Sequence, residues 1–392
     1  MNDTIQMYRT LVTAFWNQVP RRIFGDIRRL RTLAWAVIGL CFTKTANFNK
    51  WGEVVIGNAK YAASRERRFK RWLYNNHVTP ATFYPPLLQA VLIDWKPGQR
   101  VYVALDTSML PRGYVLIRAS LVYRGRALPT AWRVFKHGSD SVSYEDYKVV
   151  LERTLEALPE GLVVVLLADR GFLHHQLFQF AREAGWHYRI RAKSSTLVYL
   201  GKHQTVRMSK LRPPRGHAHF YQYARVLGET VHLALANPVP KKEDKESDPW
   251  YVVSDEPTDV STLDEYALRF DIEENFLDDK SNGFRVEASK LDDAQVIERL
   301  FLVLAVATLH FTSIGVGVVK VKMRRWVDTH WDRGSSYLKI GWDWLRQQYR
   351  KGWQAFSPFW IDPAPDPEPA MASRRQAAQP KRGWVVTCFG SP

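Results

Sequence analysis

Gly161-Leu162-Val163-Val164-Val165-Leu166-Leu167-Ala168-Asp169 is an unbroken apolar run between a glycine and an acid. No polar residue alternates with the apolar ones, so a strand here must be covered on both faces, as strands of a parallel sheet under helices are. Asp169 then falls at the strand's C-terminal end. On the N-terminal side, residues 144–158 have helical spacing. Before them, residues 100–105, 114–123 and 127–136 read as three strands of an antiparallel meander, with Arg124-Gly125-Arg126 between the last two. On the C-terminal side, residues 174–184 read as a helix and 186–192 as a further strand. The first strand is expected to stop at Asp106, so Asp106 and Asp169 would end neighbouring strands.

The order β-β-β-α-β-α-β is that of a ribonuclease-H-like domain. The fold class expected is α/β: such a catalytic domain interrupted by a β-rich insertion, with helical DNA-binding regions at both ends. The boundaries are a basic helical N-terminal DNA-binding domain at 1–94, a first part of the core at 95–193, and the insertion at 194–260. A second part with the catalytic helix follows at 261–320, a basic helical region at 321–357 and a mobile tail at 358–392. In the insertion, residues 196–200, 220–226, 230–236 and 250–253 look strand-like, with the charged turn 241–246 among them; so long a structureless loop would be improbable. Pro80, Pro85 and Pro86 are read as punctuation ending the N-terminal region.

Composition bounds the function class. The chain has 392 residues, a net charge of +17 and 15 Trp, which describes a globular protein with a polyanionic partner. Its two cysteines, Cys41 and Cys388, form no disulfide framework or zinc site. The N-terminal residues lack a hydrophobic signal core, so a cytoplasmic location is expected. Residues 300–319 are apolar enough to span a bilayer, but Thr308, His310, Thr312 and Ser313 interrupt them. A helix buried in a large α/β domain is the better reading, with no membrane partner. Arg65, Arg67, Arg68, Lys70 and Arg71, interleaved with Phe69 and Trp72, form a basic helix suited to phosphate contact or to an ordinary solvated face.

The remaining stretch with chemical content runs from Tyr266 to Lys280, free of Gly and Pro. Ser261 or Thr262 is expected to cap the helix. At helical spacing Tyr266, Arg269, Glu273 and Lys280 share one face, and Leu268, Ile272 and Phe276 form an apolar stripe beside it. Alone, that face reads as solvated charge with i,i+4 pairs. Beside Asp106 and Asp169 it offers a third carboxylate, and three oxygen ligands facing one gap can hold Mg²⁺ or Mn²⁺. Singly, each Asp reads as a turn or cap residue; their topological positions make the case.

Tyr266-x2-Arg269-x3-Glu273-x6-Lys280 matches the signature of the DDE transposases of bacterial insertion sequences, in the group named for insertion sequence four. Asp169-Arg170-Gly171-Phe172 and Leu105-Asp106-Thr107-Ser108 resemble that family's other two motifs, and Lys280-Ser281-Asn282-Gly283-Phe284 its helix end. Phe270 stands where the family often has Trp, and Leu277 where Lys is frequent. The resemblance covers residues 20–350. It implies that Asp106, Asp169 and Glu273 are catalytic residues holding two Mg²⁺ or Mn²⁺ ions, and that Arg269 and Lys280 clamp DNA phosphates while Tyr266 positions the strand. It also implies cut-and-paste transposition of double-stranded DNA, on element ends paired by a homodimer, in the bacterial nucleoid. Trp250 is the insertion's candidate for stacking on a flipped base, against ordinary packing. Two other readings stay open: a ribonuclease-H-like nuclease that cuts without joining, and a catalytically inactive DNA-binding regulator derived from a transposase.

Overall fold

The computed structural model describes residues 3–18, 25–56, 59–201, 204–239, 248–280, 283–351, 359–370 and 383–389, together with Pro20, Ile23 and Trp353. Among the described residues, the helices before the sheet are α1 (Asp3–Gln18), α2 (Ile27–Thr43), the single turn α3 (Phe48–Trp51), α4 (Ala62–Leu73) and α5 (Pro80–Val91). Asp26 starts α2 by accepting from the Arg28 amide, the usual role of an N-cap carboxylate. The proline punctuation expected at 80–86 is corrected. Pro80 opens α5, where its missing N–H is not needed, and the helix continues through Pro85 and Pro86. The buried neighbours Phe83, Tyr84, Leu87 and Leu88 hold that segment in place despite the lost backbone bonds.

The sheet begins with β1 (Arg100–Leu110), β2 (Tyr114–Tyr123) and β3 (Arg126–Lys136), a meander closed by a turn at Arg124 and Gly125, both at positive φ. Helix α6 (Tyr144–Ala157) starts with a capping box between Ser143 and Asp146. It leads to β4 (Val163–Ala168), α7 (His175–Glu183) and β5 (His187–Arg191). β4 lies parallel to both β1 and β5, and its side chains from Val164 onward are buried. β1 does not stop at Asp106 as expected, because it remains paired with β2 to Leu110 after its pairing with β4 ends at Leu105 and Ala168.

The segment 194–260 carries β6 (Leu197–Leu200), β7 (Gln204–Arg207), β8 (His217–Val226), β9 (Glu229–Ala236) and β10 (Trp250–Ser254). These strands continue the same sheet: the order is β3-β2-β1-β4-β5-β10-β9-β8-β6-β7, with β10 antiparallel to β5. The charged turn at 241–246 lies outside the described residues.

Next come α8 (Val260–Ala267), a 3₁₀ turn at Leu268–Phe270, and α9 (Asp271–Asp279). The cap of α8 is Asp259 rather than Ser261 or Thr262; its carboxylate accepts from both of their amides, as the preceding acid is better placed to do. The long α10 (Ala294–Lys320) is the one described helix apolar and long enough to cross a membrane, and its apolar stretch is wholly buried. It packs on β3, α2, α5 and α11 (Tyr337–Lys351). At the α10–α11 crossing, a Cβ on Gly315 would meet the Tyr337 carbonyl oxygen at 1.9 Å and one on Gly341 that of Phe311 at 1.8 Å. Only glycine lets the two backbones approach so closely.

Two expectations for the C-terminal part are corrected. Trp342 and Trp344 of the basic region are core residues packed against α10 and its neighbours, so this segment is not a uniformly nucleic-acid-facing helix. The tail is not free where it is described. Ile361 bonds to the Val91 carbonyl, and Trp95 and Tyr123 donate to the carbonyls of Ile361 and Asp362. The ion pairs Arg324–Glu368 and Arg333–Asp366 fasten the segment further. Beyond it β11 (Val385–Phe389) adds to β8 in parallel. Residues 371–382 and 390–392 lie outside the described residues.

Candidate active site

Register brings the first two acids together. Leu105 pairs with Ala168 at the end of the parallel β1–β4 ladder, so Asp106 and Asp169 occupy the next positions on adjacent strands, whose spacing is about 4.8 Å. Asp106 also faces Arg118 across the β1–β2 ladder. Its Oδ1 accepts from the Thr107 amide at 2.8 Å. Asp169 Oδ1 is buried without a hydrogen-bond partner.

The third acid arrives on α9. Arg269, in the 3₁₀ turn, donates from Nη1 to Asp106 Oδ2 at 3.0 Å and from Nη2 to Glu273 Oε1 at 2.7 Å. The guanidinium is buried (4% exposed) over the Phe270 ring. Arg269 therefore ties the helix acid to the strand acid, while the Glu273 side chain itself is half exposed. Burial pushes the Asp106 carboxyl up to about 6, with Glu273 and Asp169 adding to the rise and Arg269 and the Thr107 amide opposing it.

Lys280 leaves the end of α9 and donates from Nζ to Ser108 Oγ at 2.9 Å. Ser108, two residues beyond Asp106, shares its face of β1. Tyr266 is fully buried, its hydroxyl without a partner. Burial pushes that phenol up to about 12, with Asp169 raising it and Arg269 lowering it among the nearby charges. Trp250 packs edge-on against Tyr266 and tilted against Phe270, an arrangement that accounts for its ring by packing. Ser281 and Asn282, expected to continue the helix end, lie outside the described residues.

Two neighbouring features were not legible as such. A cleft of about 420 Å³ beside Asp169 is lined by Arg170, His174, Lys193 and Tyr199, among others. Arg118 is buried, with Nη1 donating to Asn275 Oδ1 at 2.8 Å and ion-paired with Asp279 Oδ2 at 2.6 Å, between the rings of Phe276 and Phe301. It thereby anchors α9 to β2. An isolated Arg in the apolar strand run Val115-Leu116-Ile117-Arg118-Ala119 was the available signal.

On the N-terminal helix α4, Arg67, Lys70 and Arg71 face solvent. Arg65 donates to the Ala59 carbonyl and Arg68 to Thr32 Oγ1. Arg68 and Arg71 line a groove of about 390 Å³ with Arg28 and Arg29 of α2.

Arg269 bridges two of the three carboxylates, and the ligand atoms the three acids offer are all oxygen. With the partnerless Asp169 Oδ1, this set suits a hard divalent cation. A different acid group is tighter: His187, Asp255 and Glu256 have ligand atoms all within 4.8 Å of one another, the one such set among the described residues. It lies at the opposite end of β5 and β10, and Arg189 and Arg100 already pair with its acids. Those ion pairs explain its compactness without a metal.

Residues 112–309, half of the chain, match the family described as "Transposase DDE domain". The chain belongs to that family. The matched stretch contains Asp169, Arg269 and Glu273 and begins after Asp106. No curated protein matches. A cryo-EM structure of a piggyBac transposase synaptic complex with hairpin DNA aligns over 93% of this chain and 87% of that one, at 9% identity and a TM-score of 0.40. A likeness that weak carries no argument.

Proposed function

We propose that this chain is a cut-and-paste DNA transposase with a ribonuclease-H-like core, and that Asp106, Asp169 and Glu273 are its catalytic acids. The observation that carries the proposal is that Arg269 bridges a β1 acid to a helix acid, while register sets the acid that follows β4 on the strand beside the first. These three would hold two ions, Mg²⁺ or Mn²⁺, which when bound supply activation of the attacking oxygen and stabilisation of the leaving oxygen. The chain's own residues orient the reaction. Lys280 and the cations of the adjacent cleft would hold DNA phosphates, and buried Tyr266 would fix the position of Arg269 from beneath. The basic face of α4 would carry much of the affinity for double-stranded DNA. A homodimer on paired inverted repeats, acting in a bacterial cytoplasm, completes the reading.

The test is cleavage and joining of end DNA with Mg²⁺. Asp169→Asn is expected to lower both activities by at least about a thousandfold while DNA binding stays within about threefold. Retained cleavage would remove Asp169 from the chemistry. Cleavage without joining by the wild-type protein would favour a plain nuclease.

A further inference from the structure

We infer that Arg269 and the cation compete for the same carboxylate oxygens, so that loading the site requires its guanidinium to leave. The inference rests on the catalytic reading of Asp106, Asp169 and Glu273. Arg269 takes one oxygen of Asp106 and one of Glu273 on two different nitrogens. A divalent cation needs its ligand oxygens at about 2.0–2.6 Å, which would bring neighbouring ligands to about 3 Å from each other. The three carboxylates are not drawn together to within 4.8 Å, since the one described acid group that meets that limit lies elsewhere. Guanidinium and cation therefore compete for the same oxygens.

The structure also shows what can move. The Glu273 side chain is 49% exposed and that of Asp106 19%, so Glu273 is free to swing toward the strand acids once released. A released guanidinium needs another anion, and a DNA phosphate supplies one in the bidentate geometry arginine favours. Cation binding and DNA binding then reinforce each other, and by linkage the reinforcement is reciprocal.

The experiment is a Mn²⁺ titration of the full chain without DNA, with free ion read by electron paramagnetic resonance. Wild type, Arg269→Lys, Arg269→Gln and Asp169→Asn are compared, and thermal unfolding checks that each is folded. Lysine keeps the charge but cannot bridge two carboxylates as a planar fork does. Both Arg269 variants are expected to bind Mn²⁺ on the order of tenfold more tightly than wild type, the loss of two charge-assisted bonds to the competitor. Should Arg269→Gln not fold, Arg269→Lys carries the comparison alone. Wild-type affinity in Arg269→Lys would overturn the displacement, whether or not Arg269→Gln binds more tightly, because nearby charge alone would then account for any change. Mn²⁺ binding that is absent, or untouched by Asp169→Asn, would instead overturn the catalytic reading itself, and the inference with it.

Discussion

Arg269 is a buried cation whose partners are two of the three acids proposed to hold the metal, and this sets the logic of the site at the scale of single residues. Its charge offsets carboxylates that would otherwise repel one another. His310 is the opposite case. It lies in the middle of α10, fully buried, with neither ring nitrogen bonded, and burial alone lowers its pKa to about 3. The unfolded chain takes up a proton there below about pH 6.5, whereas the folded chain does not until about 3. Stability is therefore lost as pH falls through that window, by up to about 1.4 kcal/mol per unit. His310→Leu is expected to be at least as stable as wild type at pH 7 and to lose less stability by pH 4. Urea unfolding at the two values checks this, and equal pH dependence in both proteins would contradict it.

At the scale of elements, the position of α9 is set from the β2 side by Arg118. Arg118→Met would leave Asp279 buried without its partner, at a cost of about 3–5 kcal/mol. Arg118→Met with Asp279→Leu should recover most of that stability, because neither charge is then left alone. Since α9 carries Glu273, the double variant should still show weakened Mn²⁺ binding. Full affinity there would mean that Arg118 supports the fold without positioning the acid. The sequence disclosed α9 through its residue spacing but hid its break. Leu268–Phe270 forms a 3₁₀ turn, which hydrophobic periodicity cannot distinguish from a helix because the two patterns nearly coincide over one turn. β1 likewise runs further than its own residues suggest. Asp106 looks like a strand end in sequence, and only the β2 ladder, a partner far along the chain, carries the strand to Leu110.

Across the whole molecule, the sheet's two ends are electrically different. At the end bearing Asp106 and Asp169, Arg269 bridges Asp106 to Glu273 and the cleft cations Arg170 and Lys193 lie nearby, while the opposite end is an ion-pair network of Arg100, Arg189, Glu256 and Glu265. Glu256 is partly buried, which would raise its pKa, but bonds from Arg100 and Arg189 outweigh that and lower it to about 2. Its stabilising contribution is thus present above the ordinary glutamate range and is lost as pH falls through about 2. Glu256→Gln should lower the melting temperature at pH 6 and converge with wild type toward pH 2. A constant difference over that range would contradict the assignment.

The order of the first five strands and the burial of α10 were legible because apolar runs and turn residues are local signals. The attachment of 194–260 to β5 as further strands of the same sheet, the docking of 359–370 and the glycine crossing of α10 and α11 were not. Each depends on a contact between distant residues whose sequence trace is a single glycine, arginine or short polar segment.

The account's central claim is that Asp106, Asp169 and Glu273 form one cation site guarded by Arg269. Crystals soaked in Mn²⁺ and measured for anomalous scattering test it most directly. Manganese is expected between Asp106 and Asp169, with the Arg269 guanidinium withdrawn from both Asp106 and Glu273. Manganese found only at His187, Asp255 and Glu256, with Arg269 still bridging its two acids, would contradict it.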